Sequence, residues 1–557
     1  MKKSKSPIKT LLLIIIGIIF INFVGSYFYK RFDLTQDQRF TLSEAAKETI
    51  ALIDEPIFIE VFLEGDFPSE FKRLQSETKQ LLEEFEAYNP NIKFKFVNPS
   101  EKEGDVEALL KFGVKPAQIE VKENGNISSQ QIFPWAIASY QGKYKKIPLL
   151  KNQLGITSEE RVNNSIQNLE YAFADGFNKL VHPKKRKVAV IKGNGELDDK
   201  YVVDFFTTLR DYYYIAPFTL DSAAVSPVKT LEQIKEFDLL VIANPTEAFT
   251  ENEKYVLDQY TMCGGASLWL VDAVELKKDT ISGNDFAFGK ELNLTDFFFK
   301  YGVRINHNLV KDVYSAPILL ASGNERESQY QRYPWLYSPL SSSANNHPIV
   351  TNIEAVKFDY VSGIDTLPNK IHKTILLTSS PISKIVGMPI EININKEITK
   401  NLKILKEGPS LEEFKAGEIP LAVLLEGSFP SAYKNRVKPF KIRNNKDESN
   451  TTKMIIISDG SLIKNQLQGN RPLELGYDKW TNAFYGNKEF LLNTVNYLLD
   501  DSGLINIRSK EISVPFLDPQ KTADKRGFWQ WINILIPLVL LAIFGGLFGY
   551  FRKKKYT

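Results

Sequence analysis

Two apolar runs, one near each end of the chain and each edged with basic residues, constrain this sequence more than anything between them. Leu11 to Phe28 has only Asn22 and Ser26 as polar members, and its length reaches the lower limit for crossing a bilayer. Phe528 to Phe551 is the second run, with Trp529 and Trp531 near one end and Tyr550 near the other. Such rings favour a membrane–water interface. Lys2, Lys3, Lys5 and Lys9 precede the first run, against Lys30 and Arg31 after it. Arg552, Lys553, Lys554 and Lys555 follow the second, against Lys521, Lys525 and Arg526 before it. The heavier cluster lies at each extreme terminus, so the positive-inside bias puts both termini in the cytoplasm and everything between the runs outside it. An uncleaved anchor is the preferred reading of the first run. A signal peptide cut near Val24-Gly25-Ser26 is the alternative, and it leaves the body in the same compartment. Gly545 and Gly549 form a G-x-x-x-G spacing that lets a second helix approach closely, which makes them candidate partner-binding residues.

The expected organisation follows from these ends. Residues 1–10 are a cytoplasmic basic tail, 11–28 a transmembrane helix, and 29–56 a juxtamembrane segment and helix. Residues 57–181 are a first α/β domain, 182–187 a linker, and 188–510 a second α/β domain. Residues 511–527 are a linker, 528–551 a transmembrane helix, and 552–557 a basic tail. Setting aside the eight basic residues of the tails leaves 62 basic against 67 acidic residues, a mildly acidic body that lacks the basic surface nucleic-acid binding needs.

In the first domain, IFIEVFL (57–63) reads as a buried strand. Phe71, Leu74, Leu81, Phe85 and Tyr88 predict one helical stripe, closed by Pro90. IKFKFVN (92–98) reads as a strand and 105–112 as a short helix. Hairpins are expected around Glu123 to Asn126 and at Gln141-Gly142. Thr157 with Glu160 makes a capping box that opens a helix running to about Leu180. This order resembles a thioredoxin-like fold, but the chain has one cysteine, Cys263, so C-x-x-C redox chemistry, disulfides and cysteine-based zinc sites are excluded. The basic linker 182–187 reads as a solvated junction. In the second domain VAVIKGNGE (188–196), DLLVIANP (238–245), ASLWLVDA (266–273) and MIIISDG (454–460) are short apolar strands. Helical patterns at 199–211 and 251–262 alternate with them, and a helix at 487–501 follows the last. That alternation predicts a parallel sheet covered on both faces. The stretch YQRYPWLYSPLSSSANNHP reads as a loop within an irregular region, 280–450.

The sequence carries no Walker A motif, no third glycine after Gly193-Asn194-Gly195 (Asp198 stands there), and no G-x-S-x-G elbow. Cys263 sits between a helix and a strand rather than on a strand-to-helix elbow, and is expected to be a small packing residue. His182, His307, His347 and His372 are not spaced as metal ligands. Asn194, Glu196, Asp272 and Asp459 lie where predicted parallel strands end, the edge at which α/β sheets bind ligands. They are the candidate ligand-edge residues, with capping and turn formation as the plain alternative.

FDLTQDQRFTLS (32–43) resembles the segment after the first membrane helix of the gliding-motility-associated ABC transporter auxiliary proteins of Bacteroidetes. The resemblance continues through IKGNGE (191–196), YTMCGGASLWLVDA (260–273), NLTDFFFKYGVRINHNLVKD (293–312), IPLAVLLEGSFPS (419–431), SDGSLIKN (458–465) and NKEFLLNTVNYLLDD (487–501). That family's glycine turn often carries a histidine where this chain has Asn194. The resemblance implies an amidotransferase-like second domain and no cofactor. It implies an ABC permease and a separate cytoplasmic ATPase as partners, an inner-membrane location, and a role in gliding motility beside other motility proteins. The expected function is that of a non-enzymatic extracytoplasmic subunit. A periplasmic solute receptor and an enzyme on an amidotransferase-like fold are the alternatives. Asp33, Arg39 and Phe40 are the expected coupling residues of the juxtamembrane segment, with Thr41 or Ser43 capping a helix from Glu44 to Ile53.

Overall fold

The computed structural model describes residues 15–18, 20, 41–101, 104–123, 126–151, 156–279, 284–322, 329–500, 503–509 and 524–556. Asp33, Arg39 and Phe40, and nearly all of the first apolar run, lie outside the described residues. The chain divides into a body ending at Glu511 and a separate unit from Ile512 onward. In that second unit Arg526–Tyr556 is a single helix. Its segment Arg526–Lys554, which contains an 18-residue stretch of mean hydropathy 2.4, is the one helix among the described residues long and apolar enough to cross a membrane.

Ser43 starts the body's first helix, Glu44–Ala51, because its side chain accepts the Ala46 N–H left free in the first turn. Strands β1 (Ile57–Val61) and β2 (Ile92–Phe96) pair in parallel. The helix Ser69–Tyr88 joins them. Strand β3 (Trp135–Tyr140) runs antiparallel to β1, and β4 (Lys143–Pro148) antiparallel to β3. The strand order is β2-β1-β3-β4. The expected hairpin around 123–126 forms outside this sheet, from Ala117–Glu123 and Asn126–Ile132. Alternation puts Ile57, Ile59 and Val61 on the face covered by Ser69–Tyr88 and by the capping-box helix Ser158–Val181. The buried stripe of Ser69–Tyr88 is Phe71, Leu74, Thr78, Leu82 and Phe85. It differs from expectation at three places. Steps of 3, 4, 4 and 3 hold one face of a 3.6-residue helix; Thr78 and Leu82 join it, Leu81 packs half-buried at its edge as expected, and Tyr88 is exposed. Thr78 fits because its hydroxyl bonds the Leu74 carbonyl at 2.7 Å. Gly176 lets Ser158–Val181 lie close on the sheet, since a Cβ there would stand 2.7 Å from Ile147 Cδ1.

The second sheet has seven strands: β5 (Lys187–Lys192), β6 (Tyr214–Thr219), β7 (Leu239–Ala243), β8 (Ala266–Leu270), β9 (His372–Thr378), β10 (Pro420–Pro430) and β11 (Glu448–Ile457). Their order is β9-β10-β11-β8-β7-β5-β6. The five strands from β11 to β6 are parallel, as the alternation of apolar strands and helices predicts. Strand β10 runs antiparallel to both β9 and β11, so the sheet as a whole is mixed. Strand β6 carries Pro217, which hid it from the sequence pattern. It lies at the sheet edge, where proline costs no ladder bond.

The region 280–450 supplies β9 and β10 and several small antiparallel sheets, so it is more regular than its sequence. Gln329–Ser341, expected as a loop, is a strand paired with Ser315–Ser322. Trp335 and Tyr337 drive it, by filling a satellite core with Val274, Ala287, Leu309 and Ile392. The basic junction is exposed at Pro183, Lys184, Lys185 and Lys187, as expected. Arg186 pairs with Asp238 at 2.7 Å, and Lys187 already begins β5.

The two ends of the body meet at one corner. Leu42, Ile50, Leu504 and Ile507 share one core with the Ser158–Val181 helix. The Ser43 N–H donates to Glu170 Oε1 at 2.7 Å.

Candidate functional site

At the C-terminal ends of the parallel strands the structure groups the four candidate ligand-edge residues into two sets. In the first, Asp272 Oδ1 accepts the Gly460 N–H at 2.6 Å. Asp459 Oδ1 accepts the Ser461 N–H and hydroxyl, each at 2.8 Å, and Oδ2 accepts the Asp359 N–H at 2.7 Å. Burial and the neighbouring Asp272 and Asp359 carboxylates push Asp459 up to about 8, and burial also raises Asp272. Lys290 stands beside them, 3.4 Å from Asn244 Oδ1, with its ammonium held below the usual range by burial. Gly460 is required here, because a Cβ would come within 2.6 Å of the Asn244 side chain.

In the second set Asn194 is buried and its Nδ2 lies 3.3 Å from Glu253 Oε2. The Asn194 N–H donates to Glu196 Oε2 at 2.9 Å. Burial raises the Glu196 carboxyl. Asn194 Oδ1 and Glu196 Oε1 have no hydrogen-bond partner among the described residues. Glu253 itself closes the capping box of helix Glu251–Met262.

The hydrogen bonds of Asp272 and Asp459 tie loops together. The donors named for Asp272 and Asp459 are backbone amides and a hydroxyl of adjoining segments, the arrangement that satisfies a buried carboxylate without a ligand. A cavity bordered by Asp272, Lys290, Arg304 and His307 measures about 30 Å³, room for about one water molecule.

A third group of polar residues in the body is different in kind. There elements packed on the first sheet, on the second sheet and in the exit segment meet around three charged side chains. Glu489 Oε1 lies 2.6 Å from Arg508 Nη2 and 3.0 Å from Lys151 Nζ. Lys151 comes from the first domain, Glu489 from the second, and Arg508 from the last turn of the body. Arg508, 2% exposed at its side chain, lies over the Tyr171 ring at 4.9 Å and donates to the Thr351 carbonyl at 3.2 Å. Lys151 Nζ also bonds the Asn352 carbonyl. Burial disfavours all three charges. The two cations nevertheless hold the Glu489 carboxyl below its usual range, and Glu489 raises Arg508. Lys151 is lowered, because burial and the like charge of Arg508 outweigh its longer bond to Glu489.

Beside this lock lies a cleft of about 600 Å³, within the size range of ligand pockets. Helix Glu44–Ala51, Tyr171 and Asp175 of Ser158–Val181, Tyr212, Tyr213, Leu504 and Ile505 border it. A second cleft, about 430 Å³, shares Arg186, Leu499 and Asp500 with it and reaches Cys263. Cys263 is half-buried there.

None of the lock or cleft residues stands out in the sequence as a site. Arg508 in LINIRS and the triple tyrosine at 212–214 were the available signals, the first as a lone charge in an apolar stretch. In the second unit, a Cβ at Gly545 or Gly549 meets nothing within 4 Å, so the G-x-x-x-G face is open among the described residues.

Residues 185–494, more than half of the chain, match a family model described as an ABC-type uncharacterized transport system, the ABC transporter auxiliary family. The protein belongs to this family. Residues 36–139 of this auxiliary protein match a second model, a domain of unknown function (DUF7088). An uncharacterized protein of Borreliella burgdorferi strain B31 is 23% identical over 554 residues, covering 98% of this chain and 97% of that one. Among solved structures, the mmIFT52 N-terminal domain aligns with a TM-score of 0.32 and 12% identity, over 56% of this chain and 97% of that one.

Proposed function

We propose that this auxiliary-family chain is a non-enzymatic, extracytoplasmic subunit of an ABC transporter-like complex in the inner membrane. It holds its α/β body beside a permease and couples it to a separate cytoplasmic ATPase. The observation that carries the reading is the family match joined to the position of the body's ends. The chain enters and leaves the body at one corner, through Leu42, Ile50, Leu504 and Ile507 packed on one core. An apolar run flanks each of those ends in the sequence. A body tethered at one corner by two membrane segments is suited to transmit a displacement, and the Lys151–Glu489–Arg508 lock gives that corner a grip on both domains.

The charge bias around the two runs supports a two-pass topology with both termini cytoplasmic. The strand order β2-β1-β3-β4, with β3 antiparallel, supports a thioredoxin-like reading of the first domain. The predominantly parallel second sheet supports the amidotransferase-like reading of the second. The loop-fastening role of Asp272 and Asp459 supports a body without catalysis. The role in gliding motility rests on the sequence resemblance of 32–43 and the segments that follow.

The experiment is a pull-down of the full chain from native membranes, with wild type compared to Arg39→Ala/Phe40→Ala. The wild type is expected to bring down a permease and an ATPase. The double variant is expected to lose them while its stability stays within about 0.5 kcal/mol of wild type. Absence of both transport subunits from the wild-type complex refutes the assignment. A reporter at Lys185 active only in the cytoplasm refutes the topology.

A further inference from the structure

The structure assigns to the turn Leu504–Ser509 the role of a latch on a hinged joint between the two α/β domains. Seated, the turn fixes the first domain on the second. Unseated, it frees the first domain to swing about residues 183–185. This goes beyond the assignment to a transport complex and does not depend on it.

The joint by itself is weak. Among the described residues, no apolar core combines side chains of 57–181 with side chains of 188–500. Polar contacts lie between the domains instead. Lys115 pairs with Glu474 at 2.7 Å and Lys145 with Asp211 at 2.8 Å, both at the surface, where such pairs contribute little. The Asn352 side chain donates to the Asn164 carbonyl at 3.0 Å. The cleft of about 600 Å³ has Tyr171 and Asp175 of the first domain on one side and Tyr212 and Tyr213 of the second on the other, so the facing surfaces are not closed there. A polar interface of this kind leaves relative motion of two domains as the default.

The chain crosses this joint twice. The first crossing, 183–185, is exposed and lies between the helix Ser158–Val181 and strand β5, the kind of short connection that absorbs a hinge rotation. The second crossing leads into the latch. Leu498 and Leu499 lie in a core of the second domain, whereas Leu504 and Ile507 are buried in the core of the first. Arg508, on the same turn, grips both sides. On the first domain it lies over the Tyr171 ring at 4.9 Å and 3.4 Å from Asn168 Oδ1. On the second it reaches Glu489 at 2.6 Å and the Thr351 carbonyl at 3.2 Å. Lys151 of the first domain shares that Glu489 at 3.0 Å. One turn thus adds to a polar joint what the joint lacks, two buried apolar anchors and a buried cation held from both domains. It is also the last turn of the body before the chain continues to the helix Arg526–Tyr556.

Spin-label distances in the full chain, held in lipid nanodiscs with Cys263→Ser, test the latch. One label is placed by Glu83→Cys on the helix Ser69–Tyr88 and the other by Glu232→Cys on the helix Pro227–Ile234, both exposed positions. A second pair, Glu83→Cys with Glu107→Cys, reports on the first domain alone. With the turn intact, the interdomain pair should give one narrow distance distribution. Arg508→Glu sets a carboxylate beside Glu489 and should add a distinct second population of about a tenth of the molecules or more, with the pair inside the first domain unchanged. Ile507→Ala shortens an anchor without burying a charge and should populate the same second distance, which decides the matter if Arg508→Glu disorders the domain. Lys115→Ala/Lys145→Ala, which removes two interdomain pairs outside the turn, should keep the narrow distribution. A single unshifted distribution in both turn variants overturns the latch. Equal opening in Lys115→Ala/Lys145→Ala, or a broad interdomain distribution with the turn intact, overturns it as well. None of these outcomes bears on whether a permease and an ATPase co-purify with the chain, so the latch and the functional assignment fail separately.

Discussion

Replacing Glu489 by Gln tests whether the interdomain lock is electrostatic. The side chain keeps its shape, but Lys151 and Arg508 lose the anion between them, at 3.0 and 2.6 Å. Removing one partner of a buried ion pair costs about 3–5 kcal/mol, because an uncompensated charge stays behind. Glu489 retains 31% exposure, so the lower end, about 3 kcal/mol, is expected. The carbonyls of Thr351 and Asn352 remain as acceptors and limit the loss further. In urea unfolding of the full chain, followed by tryptophan fluorescence, the midpoint should fall by on the order of 1 M.

The pH dependence gives a second check. Lys151 is lowered already, and without Glu489 it drops further. A lysine whose folded-state value is depressed binds fewer protons folded than unfolded. Stability therefore rises with pH up to the ordinary lysine value and is lost as pH falls through the folded one. The deficit of Glu489→Gln should accordingly shrink between pH 7 and pH 10. A variant within about 0.5 kcal/mol of wild type at pH 7, with no such trend, would refute the electrostatic account, since that is the behaviour of a surface site.

Two further outcomes are expected. Asp459 is raised in the folded protein, so the folded state holds its proton where the unfolded chain releases it, and this contribution is lost as pH rises from about 4 to about 8. Asp459→Asn turns an amide toward the Asp359 N–H at a roughly constant cost, so its deficit relative to wild type should be largest near pH 4 and smallest above pH 8 in urea midpoints; a deficit independent of pH would count against the raised carboxyl. Gly176→Ala drives a methyl to 2.7 Å from Ile147 Cδ1 and should cost about 1–3 kcal/mol by overpacking, measured as a lower melting temperature, whereas Gly427→Ala, at a site with nothing within 4 Å, should show only the backbone strain of its positive φ.

The sequence by itself determined whatever depends on near neighbours. Ser43 and the Thr157–Glu160 box started helices because their partners are three residues away. The apolar runs at 188–192, 239–243, 266–270 and 454–457 became adjacent buried strands because both of their faces are apolar. The turns after them placed Asn194, Glu196, Asp272 and Asp459 at one sheet edge by the same logic. The tertiary structure decided what those residues do, since the amides that occupy Asp459 come from Asp359 and Ser461 on separate loops. It turned Gln329–Ser341 from an apparent loop into a strand, because Trp335 and Tyr337 find their core only when residues from 274 to 392 converge. It also brought together Lys151, Glu489 and Arg508, which lie up to 357 positions apart and follow no local pattern. Periodicity and capping are written within a few residues. A charge lock between two domains depends on how they pack, and its members carry no mark in the chain until they meet.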